Sequence, residues 1–309
     1  MTEPTPKYVL IKKYLIGELY KFNPRPDKGF NYPFYLFIPK DYIKKNGYLI
    51  VEPNNTGKPD DNINVHDEEA RLMSLSKFYI GNYLARNLNY PLLVPIFPRP
   101  MNNALIYTHA LDRDTIMIRD GDMKRLDLQL IAMIHEAKEY FCRMNTPLRE
   151  KIIMTGFSAS GTFVNRFVMI HPEIIQVCAY GGLNGLLMLP IKKIKNTVLN
   201  YPLGVNDFER VFENKFNDEL YKKIPQFVFM GALDTNDAVQ FLDAFDKKEQ
   251  QKVNSVIGAV MISDRWETCS RIYYENNVAA EIVTYSNLKH ECPEMVKKDI
   301  LFFIQKKCK

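Results

Sequence analysis

Short apolar runs alternate with helix-period segments along most of this chain. Residues 14–22 and 32–38 are rich in β-formers and flank the turn-rich stretch Asn23-Pro24-Arg25-Pro26-Asp27-Lys28-Gly29. They predict an antiparallel pair that opens a sheet. Residues 48–51 read as a buried strand that runs into the loop composition of Glu52-Pro53-Asn54-Asn55-Thr56-Gly57. A helix is predicted over about 67–87 and a strand over 91–97. Leu130, Ile134, Ala137 and Phe141 form an apolar stripe at helical spacing, with Gln129, His135, Glu136 and Glu139 on other faces, so 126–141 is predicted helical. Ile152-Ile153-Met154 then begins another strand. The predicted helix after it, 160–171, is apolar nearly all round, as a helix buried under a sheet should be. Strands are expected at 175–180, 226–230 and 281–285, and a closing helix at 293–306.

Near-continuous apolar strands that alternate with helices predict an α/β fold, a mostly parallel central sheet with helices on both faces. The length of 309 residues suits one large domain, 1–309. Residues 183–225 break the alternation. They are expected to form a lid-like insertion over the carboxyl edge of the sheet, with a plain long connection as the alternative. Tyr201, Phe208 and Phe212 in this segment are expected to line an apolar pocket.

Composition narrows the function classes. Apolar residues make up 46% of the chain and aromatics 12%, enough for a large core. The net charge of +5 is spread over scattered lysine pairs, which suit solvated helix faces better than nucleic acid or anionic lipid. Neither a nucleic-acid partner nor a membrane is expected. The five cysteines are odd in number, widely spaced and without a CxxC, a pattern of reduced thiols in a cytoplasmic protein. The first 13 residues lack the apolar core of a signal peptide, and no window approaches the ~18 apolar residues of a membrane helix. There is no HxxxH or HxH for a metal. Gly156 and Gly161 have P-loop spacing, but Thr162 stands where a P-loop needs lysine. No cofactor is expected.

The chemistry concentrates at Gly156-Phe157-Ser158-Ala159-Ser160-Gly161. A serine on a sharp turn that leaves a strand needs small neighbours, because a larger side chain would collide with the adjacent backbone. In open α/β sheets, function gathers at the loops after the carboxyl ends of the strands. The strand at 226–230 delivers Asp234 and Asp237 to such a loop, and the strand at 281–285 delivers His290. A serine hydroxyl needs a base, for which His290 is the candidate. The imidazole needs a carboxylate, and Asp234, the first acid beyond its strand, is preferred over Asp237. A tetrahedral oxyanion needs amide donors. The N–H of Ala159 is one candidate, and Asn55 or Thr56 supplies the other.

The order Ser…Asp…His is that of α/β-hydrolases. Through Phe34-Tyr35-Leu36-Phe37-Ile38-Pro39, the serine turn, Gly231-Ala232-Leu233-Asp234 and Lys289-His290-Glu291, the chain resembles the α/β-hydrolase superfamily over about 14–304. Within it, the chain is similar to bacterial serine esterases of the polyhydroxybutyrate-depolymerase-like and feruloyl-esterase-like kinds. Two departures stand out: Ser160 replaces the second glycine of G-x-S-x-G, and Pro53-Asn54-Asn55 replaces the usual His-Gly start of the oxyanion loop. The resemblance implies a cofactor-free serine hydrolase that cleaves a small-molecule carboxylic ester through an acyl-enzyme. The alternatives are a thioesterase or peptidase-type acyl hydrolase, and a non-catalytic binding protein that keeps the turn by descent.

Overall fold

The computed structural model describes residues 7–42, 46–103 and 105–308. Among the described residues, eleven strands and ten α-helices run in chain order as β1 (Tyr8–Tyr14), β2 (Gly17–Phe22), β3 (Phe34–Pro39), β4 (Leu49–Val51), α1 (Ile63–Leu75), α2 (Ile80–Leu88), β5 (Leu92–Pro95), α3 (Arg113–Met117), α4 (Leu126–Arg143), β6 (Ile152–Phe157), α5 (Ala159–Ile170), β7 (Ile175–Gly181), β8 (Lys193–Ile194), β9 (Thr197–Val198), α6 (Phe208–Phe212), α7 (Asp218–Lys223), β10 (Gln226–Gly231), α8 (Lys247–Lys252), α9 (Glu267–Glu275), β11 (Ala280–Tyr285) and α10 (Glu294–Lys307).

Nine strands form one sheet in the order β1-β2-β3-β5-β4-β6-β7-β10-β11. The pairs β1/β2, β2/β3 and β3/β5 are antiparallel. Every pair from β5/β4 to β10/β11 is parallel. The expected opening hairpin is therefore present as β2 and β3, and β1 adds an exposed edge strand.

The continuous apolar runs follow from burial on both faces of the sheet. Leu49, Val51, Ile152 and Met154 join one hydrophobic cluster, packed with residues of α4 and α5. Their alternates Ile50 and Ile153 join the other, with residues of α1, α2 and α10. Among the described residues, no helix is long and apolar enough to cross a membrane.

Two expectations need correction. The single helix predicted over 67–87 is two helices, interrupted at residues 76–79. The break has a polar cause: the Ser76 side chain accepts the Phe78 N–H, and the Glu52 side chain accepts the Gly81 N–H through Oε2 at 2.7 Å. Tyr201, Phe208 and Phe212 do not line the pocket beside the serine turn. Tyr201 donates its hydroxyl to the Leu111 carbonyl, the three rings pack on one another, and all three lie in the hydrophobic cluster on the α4/α5 face of the sheet. Aromatic spacing marks burial, and here the burial is in core.

Candidate active site

Ser158 sits between β6 and α5 with φ 61° and ψ −127°, a conformation that costs of order 1–3 kcal/mol for a residue with a side chain. Close packing holds it there. A Cβ on Gly156 would lie 2.5 Å from the Ser160 carbonyl oxygen, and one on Gly161 would lie 2.6 Å from the Gly181 carbonyl oxygen. The Ser158 N–H donates to that same Gly181 carbonyl at 2.9 Å. Ser160 fits its position because its hydroxyl closes the turn. It accepts from the Phe157 N–H at 3.0 Å and donates to the Phe157 carbonyl at 2.9 Å.

Two further strand ends meet this turn. Pairing of β10 with β11 brings their following loops together, and the Leu233 N–H donates to the Leu288 carbonyl at 2.9 Å. From these loops, His290 Nε2 lies 2.9 Å from Ser158 Oγ, and His290 Nδ1 lies 2.8 Å from Asp234 Oδ2. Asp234 is buried, and its Oδ1 accepts the Asn236 N–H at 2.8 Å. Because Nδ1 faces a carboxylate, it carries the imidazole proton, which leaves the Nε2 lone pair toward Ser158. The Phe157 ring lies against the imidazole, 4.8 Å away and tilted by 38°, and stacks on Phe229 at 5.9 Å.

Of the two aspartates weighed from the sequence, Asp234 is the one placed at His290. Asp237 is committed elsewhere. It accepts the Val239 N–H at 3.0 Å and pairs with the buried Arg265 guanidinium. Asn236 is a neighbour that sequence reasoning missed: its amide Nδ2 lies 3.1 Å from His290 Nε2. Nothing in its spacing distinguishes it from other loop asparagines.

The donor side also becomes specific. Ala159 is the first residue of α5, where an amide has no partner within its helix and the helix dipole favours negative charge. The loop after β4 reaches the same region, with Asn55 and Ser160 lining one cavity. The Thr56 N–H donates to His109 Nδ1 at 3.4 Å, whereas the Asn55 N–H finds no acceptor among the described residues. The Asn55 side chain is occupied in its own loop, where Oδ1 accepts the Gly57 N–H at 3.1 Å.

This loop is held by buried polar groups. Asn54 pairs with both the N–H and the carbonyl of Phe97 at 3.1 and 2.9 Å. His109 donates from Nε2 to the Phe97 carbonyl at 2.9 Å, so its Nδ1 is free to accept from Thr56. Burial pushes the His109 imidazole down to about 3, which keeps it neutral. His66 Nδ1 lies 2.6 Å from Thr56 Oγ1. Both histidines are interior struts of this loop, fully or almost fully buried.

A cavity of about 220 Å³ opens beside His290. Its lining includes Glu52, Asn55, Met73, Ile80, Phe157 and Cys292. Burial pushes the Cys292 thiol up to about 12, so it stays protonated and is no rival nucleophile. Among the described residues, no group of three or more His, Cys, Asp or Glu side chains is arranged to hold a metal.

No protein-family model and no curated protein sequence matches the chain. Solved structures do. Poly(aspartic acid) hydrolase-1 from Sphingomonas sp. KT-1 superposes with a TM-score of 0.56 at 15% identity, covering 95% of each chain. An S-formylglutathione hydrolase from Agrobacterium tumefaciens superposes with a TM-score of 0.54 at 10% identity, covering 96% of each chain. At such identities the likeness is one of architecture, and together with the sheet order and the strand–turn–helix around Ser158 it identifies the α/β-hydrolase fold in this chain.

Proposed function

We propose that this protein is a cofactor-free serine hydrolase that cleaves a carboxylic ester. The observation that carries the reading is the unbroken line from Ser158 Oγ through His290 to Asp234, with contacts of 2.9 and 2.8 Å. In this reading His290 Nε2 takes the hydroxyl proton as Ser158 Oγ attacks the acyl carbon. Asp234 holds the Nδ1 proton and stabilises the imidazolium. The Ala159 and Asn55 amides receive the oxyanion. The imidazolium then protonates the leaving alcohol, and an acyl-Ser158 ester remains. Water, deprotonated by His290, attacks that ester and releases the acid and the free serine. The two neighbours compared above are named as hydrolases, which agrees with this class of reaction.

A fluorophosphonate probe tests the reading. Stoichiometric labelling is expected at Ser158, lost in Ser158→Ala, together with a fall in ester kcat of about 10⁴-fold or more. Labelling that survives Ser158→Ala, or no labelling of the wild type, overturns it.

A further inference from the structure

We propose that the cavity beside His290 binds a short, uncharged substrate chain that carries an oxygen acceptor near its far end, and that Glu52 selects for that oxygen. The inference rests on the hydrolase reading above and adds its substrate class.

Size comes first. At about 30 Å³ per water-sized group, the 220 Å³ of the cavity holds only a short chain. Met73, Ile80 and Phe157 make its wall apolar. Such a wall suits an alkyl chain, but a buried carboxyl stands in it. Glu52 is a carboxyl at the end of β4 and is only 2% exposed.

Charge decides what the carboxyl can bind. Its Oε2 accepts the Gly81 N–H at the start of α2, and the Lys297 ammonium from α10 bears on it electrostatically. That ammonium itself donates to the carbonyls of Lys77 and Phe78 at 3.0 and 3.1 Å. A cationic ligand at Glu52 would feel the field of the Lys297 ammonium, which already bears on that carboxyl, and of the positive end of α2. An anionic ligand would be stripped of water among apolar walls and would share the cavity with Glu291.

Protonation settles the direction of the hydrogen bond. The titratable groups around the carboxyl are Lys297 from α10, Tyr79 from the break before α2, and His290, Glu291 and Cys292 from the loop after β11. Burial outweighs the favourable contacts and pushes Glu52 up to about 8. At pH 7 it is therefore mostly an O–H donor, and its complement is a neutral acceptor oxygen: an ether, a carbonyl or a hydroxyl. A site that must leave such a donor unpaired discriminates against the analogue lacking the acceptor.

Isosteric ester pairs test this from both sides of the scissile bond. Phenyl 3-methoxypropanoate against phenyl pentanoate places the ether oxygen in the acyl group. 2-Methoxyethyl acetate against butyl acetate places it in the alcohol. The expected result at pH 7 is a kcat/KM ratio, ether over alkyl, about tenfold higher in wild type than in Glu52→Met for one of the two series. Glu52→Gln, whose amide still donates and can still accept from α2, is expected to keep the wild-type ratio. Raising the pH through about 8 should erode the preference in wild type but not in Glu52→Gln. Equal ratios in wild type, Glu52→Gln and Glu52→Met, with hydrolysis intact, overturn the proposal and leave the hydrolase reading standing. Should no ester turn over, saturation-transfer NMR with 2-methoxyethyl acetate and butyl acetate reads the pocket directly. Selective binding of the ether that Glu52→Met abolishes supports the proposal, and equal binding overturns it.

Discussion

The two sides of the candidate oxyanion site are built by opposite means. On the Ser158 side, backbone packs on backbone: Gly156 and Gly161 leave no room for a Cβ, and the conformation of Ser158 is held by its neighbours along the chain. On the Asn55 side, the loop after β4 is suspended by side-chain hydrogen bonds, from its own Asn54 to Phe97 and from His66 and His109 to Thr56. The first construction depends on residue size and fails when volume is added. The second depends on proton positions, and it weakens when a hydrogen-bond partner is lost or charged.

The sharpest way to break the comparison is to add volume on the serine side. Gly161→Val puts branched carbon against the Gly181 carbonyl, which already approaches to 2.6 Å of the missing Cβ. Overpacking of a rigid core site costs typically 1–3 kcal/mol and sometimes more. Loss of soluble folded protein, or a fall in Tm of at least several degrees, is expected by circular dichroism.

A smaller effect is expected on the opposite side. His109→Phe keeps an aromatic ring in the interior and removes the acceptor for the Thr56 N–H. Freed from this strut, the Asn55 amide should lose its aim. The expected outcome is a fall in ester kcat of about 10–100-fold with KM within about twofold. A kcat unchanged by the substitution would mean that the loop keeps its shape without His109.

The smallest effect is a pH signature. His109 titrates at about 3 in the fold, below its ordinary value of 6.5. Between those two values the unfolded chain binds a proton that the folded chain refuses. The stability due to neutral His109 is therefore complete above pH 6.5 and is lost as pH falls toward 3. From pH 7 to pH 4.5 the unfolding free energy from urea titration should fall further in wild type than in His109→Phe, by of order 1–3 kcal/mol. No comparable difference should separate wild type from Ser160→Ala, whose hydroxyl does not titrate in this range.

The same contrast explains what the sequence disclosed. The strands and helices that position the site were legible because they are dictated by apolar periodicity, and Ser158, Asp234 and His290 lie where strand ends placed them. The choice between Asp234 and Asp237 was open because both occupy one loop. It turns on Arg265, a residue 28 positions beyond Asp237 that takes its carboxylate. The choice between Asn55 and Thr56 likewise turns on His109, which no local pattern links to the loop. The break between α1 and α2 was hidden for the same reason, since Glu52 reaches the second helix from a different strand. Local chemistry could be read along the chain, whereas long-range polar partners required the fold.

The contact between Phe157 and His290 has a spectroscopic consequence. An imidazole 4.8 Å from an aromatic ring and tilted by only 38° lies within the shielding cone of that ring. The carbon-bound ring protons of His290 should therefore resonate upfield, as should those of His171, whose ring lies 4.9 Å from that of Phe167, and a His171→Gln variant would tell the two apart. The residue that precedes the nucleophile thus supplies a built-in reporter, through which the protonation of the base can be followed in the intact protein without substrate.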